Sequence, residues 1–316
     1  MEMGLNNRFQ AGTKLGESFY PFRVKIFKFV RMTQLLLRPT LQLSYSNGRT
    51  SENSSQKLFL ELGENHFSYL ITDHSIQNVH SFQFFTGDGK MRVEDVESIL
   101  QNDDLSSRSF LDVLLVNNTK DFALVPSAFH KEHVNEAIIN TIHGDLGETK
   151  LHEDDVHQWE LINVHRIPNE IMAVIHSQFS DCKYVHVFSP LLKNLFRSLT
   201  EDTKELVKLY FYPSNLNVIA VKEDQLLIAQ QFYYETSEDV IYHLLNIADK
   251  FRLDVTELVM QVSGSIDEQS SMWKELLKYF LNVELDQSFA LGLSMVDASE
   301  MPTHYFTPSL LIPSCV

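Results

Sequence analysis

The chain has 316 residues, 44% hydrophobic and 22% charged, with a mean hydropathy of -0.14. These are globular values; they exclude a disordered or membrane-embedded chain, and the length suffices for two domains of about 150 residues each. The net charge of -16 is uneven, because the basic residues Arg8, Lys14, Arg23, Lys25, Lys28, Arg31 and Arg38 crowd the beginning and leave a strongly acidic body. Such a body repels polyphosphate backbones, which excludes nucleic-acid binding through it. Cys182 and Cys315 form neither a disulfide framework nor a zinc pattern and point to a reducing cytoplasm. No stretch reaches the roughly 18–20 apolar residues of a transmembrane helix.

Residues 1–56 read as a basic extension without regular structure, ending in the polar run Ser44–Ser55. A basic amphipathic arm for anionic lipid or RNA, built on FYPFRVKIFKFV (19–30), is the competing reading, and a start at Met32 is a further account of the composition. Residues 57–86 predict three strands, and Met91–Leu100 a helix with Val93, Val96, Ile99 and Leu100 on one face. Strands follow at Phe110–Val116 and Phe122–Val125, then a helix over Ala128–Thr141 opened by Pro126-Ser127. The polar stretch His143–Asp155 is a connection, with the domain cut placed near 145–158. Beyond it come a strand at Trp159–Val164, a helix at Pro168–Phe179, a strand at Tyr184–Phe188 and a helix at Pro190–Leu199. Three strands between 208 and 233 lead to a helix after Thr236, a plausible N-cap with Glu238 and Asp239 in the first turn. A buried strand (Glu257–Val262), a helix (Ser271–Phe280) and a short strand (Val283–Leu285) follow. From about Asp297, Pro302, Pro308 and Pro313 predict irregular structure.

One pattern recurs. The strand-turn-strand Lys57–Asp73 reappears 151 positions later as Lys208–Asp224, which implies two related lobes with a cleft between them. The turns differ: Glu61-Leu62-Gly63 in the first copy is set against Tyr212-Pro213-Ser214 in the second. Ser263-Gly264-Ser265, after a buried strand and before a helix, is the best-placed ligand turn, because α/β folds bind ligands at such strand ends. An ordinary strand-to-helix turn is its bland alternative. The histidines (His130, His133, His143, His152, His157) lack the tight spacing of a zinc hydrolase, so a metal site is not expected. The acidic pairs at Asp103-Asp104 and Glu153-Asp154-Asp155 read as caps or solvated faces. Tyr210, Phe211, Tyr212, Phe232, Tyr233 and Tyr234 read mostly as core, with Tyr212 and Tyr234 as a partner-binding patch if they face outward.

A hairpin-rich start to each half followed by alternating strands and helices resembles the actin-like ATPase superfamily: sugar kinases, the Hsp70 ATPase domain, actin, and the scaffolds PilM and GspL. Residues 211–251 and QVSGSIDEQS (261–270) are similar to an uncharacterised bacterial family of that fold. The resemblance implies an α/β protein of two related actin-like (ribonuclease H-like) lobes, mixed sheets flanked by helices, at 57–155 and 156–316. In active members each hairpin turn reads Asp-apolar-Gly, the Asp handling Mg²⁺ and water and the Gly letting amides close on phosphate. Here Glu61 replaces the Asp, Gly63 is kept, and Pro213 removes an amide from the second turn. The adenosine motif Gly-Gly is half kept at Gly264. The implied cleft therefore comprises Glu61, Gly63, Ser214, Asn215, Ser263, Gly264 and Ser265, with degenerate phosphate hairpins. The expectation is a non-catalytic scaffold or protein-binding module without a cofactor. A nucleotide-binding protein or weak ATPase using ATP and Mg²⁺, and a structural homodimer, stay open.

Overall fold

The computed structural model describes residues 39–44, 56–200, 203–286 and 302–313. Strand β1 (Pro39–Ser44) lies inside the segment expected to be irregular, which corrects that expectation; residues 1–38 and 45–55 fall outside the described residues. The three predicted strands are β2 (Gln56–Gly63), β3 (His66–Asp73) and β4 (Val79–Thr86). Helix α1 (Val93–Asn102) and strand β5 (Asp112–Asn118) follow. An excursion of β6 (Phe122–Pro126), α2 (Glu132–His143), β7 (Thr149–Val156) and β8 (Leu161–Pro168) precedes α3 (Asn169–Gln178), β9 (Lys183–His186) and α4 (Phe188–Ser198). The second half runs β10 (Glu205–Phe211), β11 (Asn215–Lys222), β12 (Gln225–Tyr233), α5 (Ser237–Phe251), β13 (Val259–Gly264), α6 (Ser271–Tyr279), β14 (Asn282–Leu285) and α7 (Thr307–Leu311).

Two sheets repeat one topology. The first orders its strands β1-β4-β3-β2-β5-β9, the second β12-β11-β10-β13-β14. In each, a hairpin and a third antiparallel strand flank a parallel trio: β2, β5 and β9 in one, β10, β13 and β14 in the other. The fold is thus the mixed α/β architecture of two related units. The excursion β6-α2-β7-β8 is an insertion in the first unit, carrying its own three-stranded sheet in the order β6-β8-β7.

The expected boundary at 155/156 falls at the end of β7, whose hairpin partner β8 lies beyond it. Strand β9, further on, pairs with β5 of the first sheet. The second sheet begins only at Glu205. The polar stretch before 156 forms β7 because an edge strand needs hydrogen bonds from one neighbour and little apolar surface. Helix α7 corrects the expectation of an irregular end: Pro308 sits in its first turn, where a missing amide costs nothing. By order in its unit, α7 is the counterpart of α4.

The hairpin registers revise the repeat. Leu62 closes on Phe67 and Phe211 on Leu216, so the structural offset is 149, not 151. A slip of two residues keeps every side chain on its own face, and alternation alone cannot detect it. The positions equivalent to Glu61-Leu62-Gly63 are therefore Tyr210-Phe211-Tyr212.

Alternation also sorts the cores. Leu58, Leu60 and Leu62 of β2 pack outward under α1 and α3, while Val207, Leu209 and Phe211 of β10 pack under α5 and α6. Helix α5 is held in register by the predicted cap, Thr236 accepting from the Asp239 amide while the Asp239 carboxylate accepts from the Thr236 amide. The opposite faces share one core: Phe59, Phe82 and Phe84 meet Tyr210, Tyr212 and Ile219, with Phe188 and Leu191 of α4 and Phe306, Leu310 and Leu311 beside and within α7. Each such aliphatic or aromatic side chain contributes about 1.5–3 kcal/mol on burial. The halves are joined by a continuous apolar core.

Candidate functional site

Glu61 points from β2 into the shared core and is 3% exposed. Its Oε1 accepts from Asn118 Nδ2 at 2.8 Å, and its Oε2 accepts from Ser309 Oγ at 3.1 Å and Ser68 Oγ at 3.4 Å. His66 Nε2 lies 3.7 Å from Oε1, at ion-pair rather than hydrogen-bond distance. Burial works to raise the Glu61 carboxyl, but His66, Tyr212 and Asn118 outweigh it and hold it below its ordinary value. Tyr212 responds oppositely: burial and the neighbouring Glu61 push its phenol well above the usual range. A buried carboxylate is tolerated here because its lone pairs are met.

Asn118 continues the network into the second unit. Its Oδ1 accepts from Asn217 Nδ2 at 2.9 Å and from Gln231 Nε2 at 3.0 Å, and Gln231 Nε2 also reaches Asn217 Oδ1 at 3.0 Å. Glu61, Asn118, Asn217 and Gln231 thus form a buried polar clamp between β2 and β5 on one side and β11 and β12 on the other. At the surface, the Tyr233 hydroxyl donates to Glu64 across the same junction, and Lys120 Nζ lies 5.2 Å from the Tyr233 ring centre. The segment around α7 ties in both units. Ser309 reaches Glu61, Phe306 meets Phe82 edge-on at 5.5 Å, and His304 Nε2 lies 2.8 Å from the Ile266 carbonyl oxygen. Behind it, Lys208 pairs with Asp286 at 2.8 Å, both 2% exposed.

The two glycines serve different ends. Gly63 ends β2 beneath His66, whose imidazole lies 1.9 Å from where a Cβ at residue 63 would sit. That imidazole stacks between Phe84 at 5.0 Å and Tyr212 at 4.8 Å, so the space over Gly63 is filled by the chain itself. Gly264 has φ +89°, and a Cβ there would meet the Phe211 carbonyl oxygen at 2.1 Å. Only glycine fits that approach of β13 to β10.

The predicted site residues do not converge on one surface. Gly264 and Ser265 join Tyr212 and Pro213 around a cavity of about 390 Å³. Glu61 and Gly63 are sealed beside it under His66 and Tyr212. Ser214 accepts from the Tyr234 amide at 3.2 Å, Asn215 opens β11 fully buried with its carbonyl accepting from the Tyr212 amide at 2.9 Å, and Ser263 is buried at the end of β13. Among the hairpin aromatics, Tyr212 is 2% exposed and Tyr234 half-buried with its hydroxyl on the Tyr212 carbonyl; Tyr233 is the exposed ring. Sequence reasoning missed Asn118, Asn217, Gln231 and Ser309. An Asn117-Asn118 pair closing the apolar run Val113–Val116 was the available signal, since buried amides demand partners.

A second polar cluster lies in the first unit. Asp154 is not on a solvated face, because β7 turns it inward, where it accepts from Ser189 Oγ at 2.6 Å and the His186 amide at 2.8 Å. His186 donates from Nε2 to the Thr119 carbonyl at 2.9 Å, and its Nδ1 accepts from Asn163 at 3.2 Å. His165 bridges the rings of His152 and His186 at 5.5 and 5.4 Å. Burial lowers His186 to about 3 and His152 to about 4. Among the described residues, no group of three or more His, Cys, Asp or Glu is placed to hold a metal, and no helix is long and apolar enough to cross a membrane.

A family model described as "Protein of unknown function (DUF3822)" matches residues 46–283. No curated protein matches the chain. Among solved structures, the chain is similar to a Bacteroides thetaiotaomicron protein with actin-like ATPase fold and unknown function, at TM-score 0.66 and 17% identity over 74% of this chain and 91% of that one. It is also similar to a structure of the PilM-PilN type IV pilus biogenesis complex, at TM-score 0.50 and 12% identity over 81% of this chain and 97% of that one. At these identities the likeness shows the actin-like ATPase fold and nothing further.

Proposed function

The chain belongs to the DUF3822 family of proteins of unknown function, and we propose that within it this protein is a non-catalytic actin-like fold: a scaffold or protein-binding module. The observation that carries the reading is Glu61, the one acidic residue at a hairpin position where a phosphate site needs one. It is buried and capped by Ser309 from the chain's own α7. A magnesium nucleotide does not fit these residues. His66 fills the space above Gly63, and Tyr210-Phe211-Tyr212 stands where the second hairpin would need an acid and a glycine. The polar clamp through Asn118, Asn217 and Gln231 further opposes the lobe opening by which a nucleotide enters such a cleft.

The structure of PilM with PilN supports the view that this fold can serve as a protein-binding body. A bacterial, cytoplasmic setting is part of this reading; the Cys182 thiol is half-buried, and burial pushes it up to about 12. Calorimetry of the full chain with ATP and Mg²⁺ tests the reading. We expect no heat of binding at millimolar nucleotide. Micromolar binding that disappears in Gly264→Arg would replace the scaffold by a nucleotide-binding protein.

A further inference from the structure

The cavity beside the second hairpin is unlike a phosphate site in kind. It lies between the units: Phe82, Phe84 and Thr86 of β4 form one wall, Tyr212 and Ser265 another, and Tyr305, just before α7, a third. At about 390 Å³ it falls in the range of small-molecule pockets, roughly 300–1,000 Å³. Among the described residues, none lining it carries a charged side chain. Its floor is rigid, because Phe82 and Phe84 are buried β-strand residues and Tyr212 stacks on His66. Its side-chain polar groups are hydroxyls: at the rim Thr86 Oγ1 lies 3.2 Å from Thr40 Oγ1 and Ser265 is exposed, while deeper in, the buried Ser309 hydroxyl is already engaged with Glu61. An anion entering it would lose hydration without gaining a counter-charge, whereas a flat neutral ring would gain both apolar burial and ring-ring contact.

We propose that this interlobe cavity is a binding site for a small uncharged aromatic compound, with Phe82, Phe84, Tyr212 and Tyr305 holding the ring and Thr86 and Ser265 contacting its polar edge. The inference rests on the reading that the phosphate positions are closed and adds what the remaining space accepts. All three walls come from different parts of the chain, so an occupant touches both units and the segment of α7 at once.

The test is a fluorescence titration of the full chain with the neutral probe N-phenyl-1-naphthylamine. Saturable binding of one probe per chain is expected, weakened at least tenfold in Ser265→Trp, which fills the mouth from an exposed position. It should be unchanged in Ser109→Trp, an exposed control in the first unit. A titration that does not saturate, or one that Ser265→Trp leaves unchanged, overturns the inference. Displacement of a bound probe by ATP with Mg²⁺ overturns it and the closed-cleft reading together. Absence of probe binding with ATP also silent overturns this inference alone.

Discussion

In the first unit the hairpin position 61 holds a buried carboxylate with three hydrogen-bond donors around it; in the second, the equivalent position 210 holds a buried tyrosine. The first hairpin carries His66 over a glycine, and the second replaces that glycine by Tyr212, which stacks on the same imidazole. Two copies of one topology have thus become complementary halves of one contact. Across it the first supplies charge and accepting oxygens, and the second supplies rings and the donating amides and hydroxyls. The two units share one strand order, while the chemistry at their junction differs.

The comparison can be broken most severely at α7. Deleting residues 302–316 removes Phe306, Leu310 and Leu311 from the shared core, and we expect loss of the cooperative thermal transition by circular dichroism. A smaller effect is expected at the carboxylate. Glu61→Ala leaves the donors of Asn118 and Ser309 unmet and should cost about 1–3 kcal/mol for each in urea unfolding. Tyr210→Phe at the equivalent position should cost about 1 kcal/mol. If the two losses are equal, the chemical division between the hairpins is wrong.

The glycines separate next. Gly264→Ala meets backbone and should destabilise by about 1–3 kcal/mol whatever surrounds it. Gly63→Ala meets the His66 ring first, so the double variant with His66→Ala should show a coupling of about 1–2 kcal/mol between the two sites.

The last effect is in pH. His186 is kept neutral by burial, with a folded value of about 3 against an ordinary 6.5. The unfolded chain therefore binds the extra proton first, and stability present above pH 6.5 is lost as pH falls toward 3. The slope from this residue is at most about 1.4 kcal/mol per pH unit. Urea titrations at pH 7, 6 and 5 should show it, and His186→Gln should flatten it. An unchanged slope in that variant would remove His186 as its source.

Much of the architecture was legible because strands and helices announce themselves by period. Leu58–Leu62, Val240–Phe251 and the cap at Thr236 needed no tertiary information. The register of the repeat was not legible, since offsets of 149 and 151 bury the same faces and only the pairing of Leu62 with Phe67 distinguishes them. Strand β7 was hidden because its residues are polar on both faces, with Asp154 satisfied by Ser189 and His186, some 30 residues away in sequence. Helix α7 was hidden by its proline. At the site, Glu61 and Gly63 stood out by motif, but their sealing by Ser309 and His66 depends on contacts across the fold that no local pattern encodes.

The insertion between β5 and α3 also shapes the order in which the sheets can close. In the second unit β14 joins β13 after a short excursion, Val259 pairing with Asn282. In the first, Leu114 pairs with Lys183, so the whole inserted subdomain lies in the chain between β5 and β9. Loop closure and non-local pairing slow the docking of β9. Until β9 docks, the run Val113–Val116 presents an open, apolar strand edge, the kind that recruits other chains. Aggregation during refolding should therefore start from the first unit, at β5, and the lysine-bearing strand β9 acts as its intramolecular cover.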